Sequence, residues 1–156
     1  MTRFLCGALL AVCLAGCAST GPKSLGNFSD APAPVQQQLA DAAAKQLIAL
    51  YPPGKTRFAL QQPMSDAFGQ PLAAALRASG YALQDFQADA AASVAAGTPA
   101  SSATPVAGLP LGYVLDQAAG PGLYRISLVV GSQTLTRVYR AHEGQLVPAG
   151  AWVRKE

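Results

Sequence analysis

The alternation at residues 124–130 limits the fold of this chain more than any other stretch. Tyr124, Ile126, Leu128 and Val130 fall on one parity, and Arg125, Ser127 and Val129 on the other. Successive side chains of a strand point to opposite faces, so the pattern predicts a strand buried on one side. Gly131-Ser132 follows at once and suits a two-residue hairpin with glycine first. Residues 133–141, rich in Thr and Val, are then the return strand. Leu111, Tyr113 and Leu115 alternate in the same way within residues 109–117, and Gly120-Pro121-Gly122 is a turn. Glu143-Gly144 makes another turn. Leu146-Val147 and then Trp152-Val153 close the chain around Pro148-Ala149-Gly150. The second half therefore predicts an antiparallel meander.

The first half has a different period. Val35, Leu39, Ala43, Leu47 and Tyr51 recur at every fourth position, with Ile48 and Leu50 widening the stripe, and predict a helix over 35–51. Pro34 fits its first turn, and Pro52-Pro53-Gly54 ends it. Residues 56–61 predict a short strand with Phe58 and Leu60 on one face. Ser65 or Asp66 can cap a second helix over 66–79, whose Phe68, Leu72, Ala75, Leu76 and Ser79 share a face. Gly69 and Pro71 weaken its first turns. Gly80 tolerates positive φ and suits its end, and residues 81–87 return as a strand. Strand, helix and strand make a β-α-β unit. The expected fold is α+β: two helices packed on small, mainly antiparallel sheets.

Apart from Asp89, residues 88–108 are Ala, Ser, Thr, Pro and Gly, with Val94 and Val106 the larger apolar groups. Such a segment buries too little surface to offset its ordering entropy, and is expected as a disordered insertion within one domain at 35–156.

The N-terminus carries a second kind of signal. Arg3 precedes an apolar run at 4–14, too short to span a bilayer, and Leu14-Ala15-Gly16-Cys17 reads as a bacterial lipobox. Val12 is too bulky for Cys13 to offer a rival site. The expected lipoprotein signal peptide is 1–16, with Cys17 the lipidated residue and 17–34 a flexible tether. Ala18 after the cysteine matches sorting to the outer membrane rather than retention at the inner one. Processing removes Cys6 and Cys13, and lipid occupies Cys17, so none of the chain's 3 cysteines is left for a disulfide or thiolate metal site.

Charge is sparse. The chain carries +3, and loss of Arg3 with the leader leaves +2, too little to argue for nucleic acid. Arg125, Arg137, Arg140, Arg154 and Lys155 crowd the last quarter. They read either as solvated strand faces or as a docking face for an acidic partner or phospholipid headgroups.

Catalytic patterns are not met. Gly54-Lys55-Thr56 resembles the end of a P-loop, but Ala49 stands where the first glycine belongs, and a helix precedes it instead of a strand. His142 is the 1 histidine and lies beside a turn. Asp85 and Asp89 flank the flexible insertion, a poor place to hold a carboxylate pair. No cofactor and no metal are expected. Tyr81, Tyr113, Tyr124, Phe58 and Phe68 fall at core positions, whereas Trp152 reads either as a cap on the core or as a Trp/Arg anchor for another subunit.

Several stretches, in order, carry a family resemblance: the lipobox; Lys45 to Pro53 (KQLIALYPP); Asp66-Ala67-Phe68-Gly69; Leu76 to Leu83 (LRASGYAL); Tyr113 to Gln117 (YVLDQ); and the ending Pro148 to Glu156 (PAGAWVRKE). With these the chain resembles the TrbH family of conjugal transfer lipoproteins from IncP-type systems. The resemblance implies a mating-pair-formation component of a type IV secretion system, in the outer-membrane core beside TrbG-like and TrbI-like subunits, with copies arranged as a ring. It also implies a domain like the N0 domain of secretins. On this reading Asn27 and Phe28 in the tether contact a partner, and Trp152 and Arg154 contribute to an interface. The competing expectation is a stand-alone periplasmic binding lipoprotein, for example one that blocks uptake of a second plasmid.

Overall fold

The alternation at 124–130 becomes a strand at the middle of a mixed sheet, with its apolar parity under two helices. The structure, a computed structural model, describes residues 24–88 and 108–156. Within them the chain runs β1 (Gly26–Asn27), α1 (Ala33–Leu50), a 3-10 turn (Pro53–Lys55), β2 (Arg57–Leu60), α2 (Gly69–Ala78), β3 (Ala82–Gln84), β4 (Leu109–Gln117), β5 (Leu123–Val130), β6 (Gln133–His142), β7 (Gln145–Pro148) and β8 (Val153–Lys155).

The α+β class is as expected, but the strands form one 8-stranded sheet and not several small ones. The reason lies in β4, which is 9 residues long and pairs on both edges. One edge takes β5 antiparallel, from Leu111↔Val130 to Gln117↔Tyr124. The other takes two short parallel strands in tandem, β2 opposite Leu109–Leu111 and β1 opposite Val114–Leu115. β6 repeats this at the far side, where β7 lies opposite Tyr139–His142 and β8 opposite Thr134–Thr136. The β-α-β unit forms as expected, with β2 and β3 parallel on either side of α2 in sequence.

Packing follows the periodicities. Phe58, Leu60, Leu111, Tyr113, Leu115, Ile126, Leu128 and Leu135 form one buried sheet face against Leu39, Leu47, Phe68, Leu72 and Leu76 from the helical side. Each such side chain contributes about 1.5–3 kcal/mol by leaving water. Ala40, Ala43 and Ala44 are buried too, and their small side chains let α1 approach its neighbours closely. Tyr81 stacks on Phe58 with centroids 5.1 Å apart, and its hydroxyl donates to the Tyr51 carbonyl at the end of α1.

Local signals close α2 and two of the hairpin turns where the sequence placed them. Gly80, at φ +88°, lets its N–H reach the Arg77 carbonyl (2.9 Å) while the Tyr81 N–H reaches that of Leu76 (3.1 Å), closing α2 with a left-handed cap. Gly131 at φ +59° makes the β5–β6 hairpin with glycine first, and Glu143 and Gly144 both take positive φ in the β6–β7 turn.

Several boundaries differ from expectation; α2, expected from residue 66, begins at Gly69. The tether was placed at 17–34, yet residues 24–34 already carry β1 and the start of α1, and Ala31 is buried. A 2-residue strand has no period to detect; its partner, β4, lies far along the chain. The strand expected over 81–87 spans only 82–84. Finally, Pro148-Ala149-Gly150 does not reverse the chain. β7 and β8 run in the same direction along β6, and residues 149–152 bulge out between them. The leader, the lipobox, Cys17, residues 17–23, Asp89 and residues 89–107 of the insertion lie outside the described residues.

Candidate partner-binding groove

Trp152 stands in that bulge, and the bulge exists because four residues, 149–152, face only Arg137 and Val138 on β6. The ladder is held on both sides of the gap. The Ala149 N–H donates to the Val138 carbonyl (2.9 Å), and Arg137 Nε donates to the Gly150 carbonyl (2.8 Å). The Arg137 guanidinium also lies 5.2 Å from the centre of the Tyr139 ring. Trp152 packs edge-on against the same ring at 6.4 Å. Arg137, Tyr139 and Trp152 thus brace one another.

These three side chains form one wall of an open groove of about 450 Å³. The opposite wall is α1, through Gln38, Asp41, Ala42, Lys45 and Gln46, with Leu146 and Pro148 of β7 at one end. The groove exists because the sheet is wider than its helical cover: α1 packs on β5 and β7 and α2 on β3, so the sheet's helical face at β6 is only partly roofed. Gln38 Nε2 donates to the Gly144 carbonyl (3.1 Å) and ties α1 to the β6–β7 turn. The surface mixes two aromatic rings, one held guanidinium and the charged helical residues Asp41 and Lys45. Burial raises the pKa of Tyr139, with Arg137 acting against it, so the phenol remains a neutral donor at physiological pH.

The other expected site residues separate. Arg154 is exposed on β8 opposite Leu135, so it shares the helical side of the sheet with Trp152 but does not line the groove. Phe28 follows β1 and is 59% exposed, its ring against Gly26. Asn27 is not free for a partner. Its Nδ2 donates to Gln36 Oε1 (2.6 Å) and Asp66 Oδ1 (3.4 Å), and its Oδ1 accepts from Ser29 N–H (3.1 Å). Gln36, itself buried, passes the network on to the Ala31 carbonyl (2.6 Å). The amide of Asn27 is spent on fastening β1 to both helical elements, which a sequence reading of the tether could not see.

Sequence reasoning grouped Arg137 with the other C-terminal cations as one possible docking face, and missed its setting beside Tyr139 and the α1 wall. A signal was present: Arg137 falls on the same parity as Leu135 and Tyr139, and a cation on the core side of a strand needs an unusual neighbour. His142 lies exposed in its turn, as read from sequence, 3.6 Å from Glu143. Asp85 pairs with Arg77 at 2.7 Å on the surface. Among the described residues no three His, Cys, Asp or Glu side chains cluster as metal ligands would, and no helix is long and apolar enough to cross a membrane. The 3-10 turn at Pro53–Lys55 lies between α1 and β2, in an order opposite to that of a phosphate-binding loop.

Comparison with known proteins places the groove in context. Residues 21–156 match the family described as conjugal transfer protein TrbH, so the match includes both walls of the groove. No curated protein and no solved structure matches the chain.

Proposed function

This chain belongs to the TrbH family of conjugal transfer proteins, and from that membership we propose that it is a structural lipoprotein subunit of a conjugative type IV secretion apparatus. The family match over 21–156 carries the reading, together with the Leu14-Ala15-Gly16-Cys17 sequence just ahead of it. Lipid on Cys17 holds the domain at the periplasmic face of the outer membrane. Several acyl chains make that attachment stable, where one chain alone would exchange. The chain carries out no chemistry on a substrate in this reading; it positions other subunits.

TrbG-like and TrbI-like core subunits are the partners. The groove beside Trp152 supports this, since Trp and Arg dominate binding hot spots and the Trp152–Tyr139–Arg137 set is braced before any partner arrives. Arg154, exposed on the same side of the sheet, adds a peripheral charge that steers an acidic segment. Asn27 has no part in the contact, and Phe28 lies on the other side of the sheet. Copies set side by side in a ring would give each subunit two neighbours through one repeated contact.

The test is affinity capture of tagged protein from conjugating cells in mild detergent, comparing wild type, Cys17→Ser and Trp152→Ala. Stoichiometric TrbG-like and TrbI-like proteins with wild type, and less with either variant, support a lipid-positioned core subunit that uses the groove. Recovery of the protein alone from all three, with the other transfer proteins expressed, overturns the reading and leaves a stand-alone binding lipoprotein.

A further inference from the structure

Among the described residues, no helix covers the face of the sheet turned away from α1 and α2; only Leu25 lies over it, at Gly112, and the residues of this face are sorted. Register and alternation put Gly112, Val114, Ser127, Val129, Thr136 and Val138 at its centre. Around them stand three large exposed apolar side chains: Phe28 (59%), Val147 (52%) and Val153 (64%). Among the described strand residues, the cations Arg57, Arg125, Arg140 and Lys155 share this parity, and Asp116 is its one acid, paired with Arg125. Arg137 and Arg154, which the sequence groups with them, fall on the opposite side.

The N-terminal segment approaches by this face. β2 occupies the edge of β4 as far as Leu111, so the chain ahead of Gly26 cannot lie in the sheet. Leu25 lies over the open face instead, on Gly112; a Cβ at Gly112 would come within 2.6 Å of Leu25 Cδ1. Seven residue steps, at most about 25 Å when extended, lead from Ser24 back to Cys17. Resting on the lipoprotein reading above, that short leash starts from this face and keeps it close to the bilayer.

We propose that the open sheet face is a docking surface for anionic phospholipid headgroups. Its cations meet the phosphates, and Phe28, Val147 and Val153 enter the interfacial layer, the combination by which a surface-lying protein binds a charged membrane. The helical groove then points away from the membrane, free for a protein partner. The lone acid is already satisfied by Arg125, so Arg57, Arg140 and Lys155 remain to face the lipid.

The test uses the mature chain, residues 17–156 with Cys17→Ser, which holds every strand and helix of the fold. Sedimentation with vesicles rich in phosphatidylglycerol is compared with pure phosphatidylcholine. The expected result is binding to the anionic vesicles that weakens about tenfold or more with Arg140→Glu/Lys155→Glu, on the basis of the attraction each cation contributes near a charged surface. Arg154→Glu, on the other side of the sheet, leaves binding within about twofold because its side chain lies beyond the headgroups. Circular dichroism checks that each variant is folded. As a measurement independent of charge reversal, brominated lipid should quench a Phe28→Trp/Trp152→Phe variant and not the native Trp152. Equal binding to both vesicle types, binding to neither, or an equal loss with Arg154→Glu overturns the proposal. So does retention by an acidic protein without vesicle binding. Mass analysis of the cell-extracted N-terminus judges lipidation separately: unmodified Cys17 with intact vesicle binding sinks only the lipoprotein reading, and lipidated Cys17 without vesicle binding sinks only the docking face.

Discussion

The Tyr113 hydroxyl donates a hydrogen bond to the Asp66 carboxylate, joining the centre of β4 to the segment that opens α2. The carboxylate also accepts from the Phe68 and Gly69 N–H groups at 2.9 Å each, which orders the first turn of the helix. At the other end of the same residue, the Tyr113 N–H donates to Gln62 Oε1 (3.2 Å). That side-chain bond fills the gap in the β4 edge between the tandem strands β2 and β1. One tyrosine therefore ties together the sheet, the helix and the two short edge strands.

Tyr113→Phe keeps the ring and removes the donor. The expected loss is about 1.5–3 kcal/mol, because the hydrogen bond goes to a charged acceptor. Urea unfolding of the variant against wild type measures it, and an unchanged midpoint would show that solvent replaces the phenol.

The same pair sets a dependence on pH at each extreme. Burial acts to raise the Asp66 pKa, but donors from Tyr113, Gly69, Phe68 and Asn27 outweigh it and hold the carboxyl below its ordinary value of 3.8. A depressed carboxyl stabilises the fold above its unfolded pKa, so this contribution persists at neutral pH and is lost as pH falls below about 4. Tyr113 moves the other way: burial, then the Asp66 hydrogen bond and charge, raise its pKa well above 10.0. The folded state holds this proton more tightly, so stability falls as pH rises past about 10. Melting temperatures across pH should decline at both ends, and Tyr113→Phe should flatten the alkaline limb.

Gly69→Ala should destabilise the domain, by less than the loss of a large core side chain. A Cβ there would lie 2.6 Å from Tyr113 Oη and 3.0 Å from the Met64 backbone, and the backbone cannot give way as a flexible side chain could. Overpacking of this kind costs about 1–3 kcal/mol, although Ala is the better helix former by about 1 kcal/mol. A calorimetric scan decides the sign.

Asn27→Ala should loosen β1 without unfolding the domain. The variant loses both side-chain bonds to the helical layer, while the Phe28 N–H still donates to the Leu115 carbonyl at 2.7 Å. Faster amide exchange confined to residues 24–30 is expected, with core strands unchanged. Protection lost across β4 and β5 would instead mean that the N-terminal strand supports the whole sheet.

Trp152→Ala should separate binding from folding. Trp152 is only half-buried and packs at the margin of the core on Tyr139, so a stability loss of about 1–2 kcal/mol is expected, well below that for a buried aromatic. Capture of partner subunits should fall much further. Phe58→Ala, at 0% exposure, should do the reverse and lose about 3–5 kcal/mol of stability.

Local order determined much of this protein. Period-two alternation at 109–117 and 124–130, period-3.6 repetition at 35–51, and the glycines at 80, 131 and 144 act within a few residues of themselves, so both helices, the longer strands and the buried Phe58, Phe68, Tyr81, Tyr113 and Tyr124 were legible without a structure, whereas β1 and the ends of β3 were not. Trp152 was legible as either a cap on the core or an anchor for a partner; the structure packs it against the core margin on Tyr139, and its surroundings were not legible. Its wall is built from α1 and β6, brought together only by the register of the sheet. The tertiary structure alone decided that Asn27 is an internal fastener, that β7 and β8 share one edge, and that the C-terminal cations divide between two faces. Each depends on pairings between distant segments, and a pairing shifted by one residue would turn every side chain of a strand to the other face. Neighbours in sequence carry no trace of that choice.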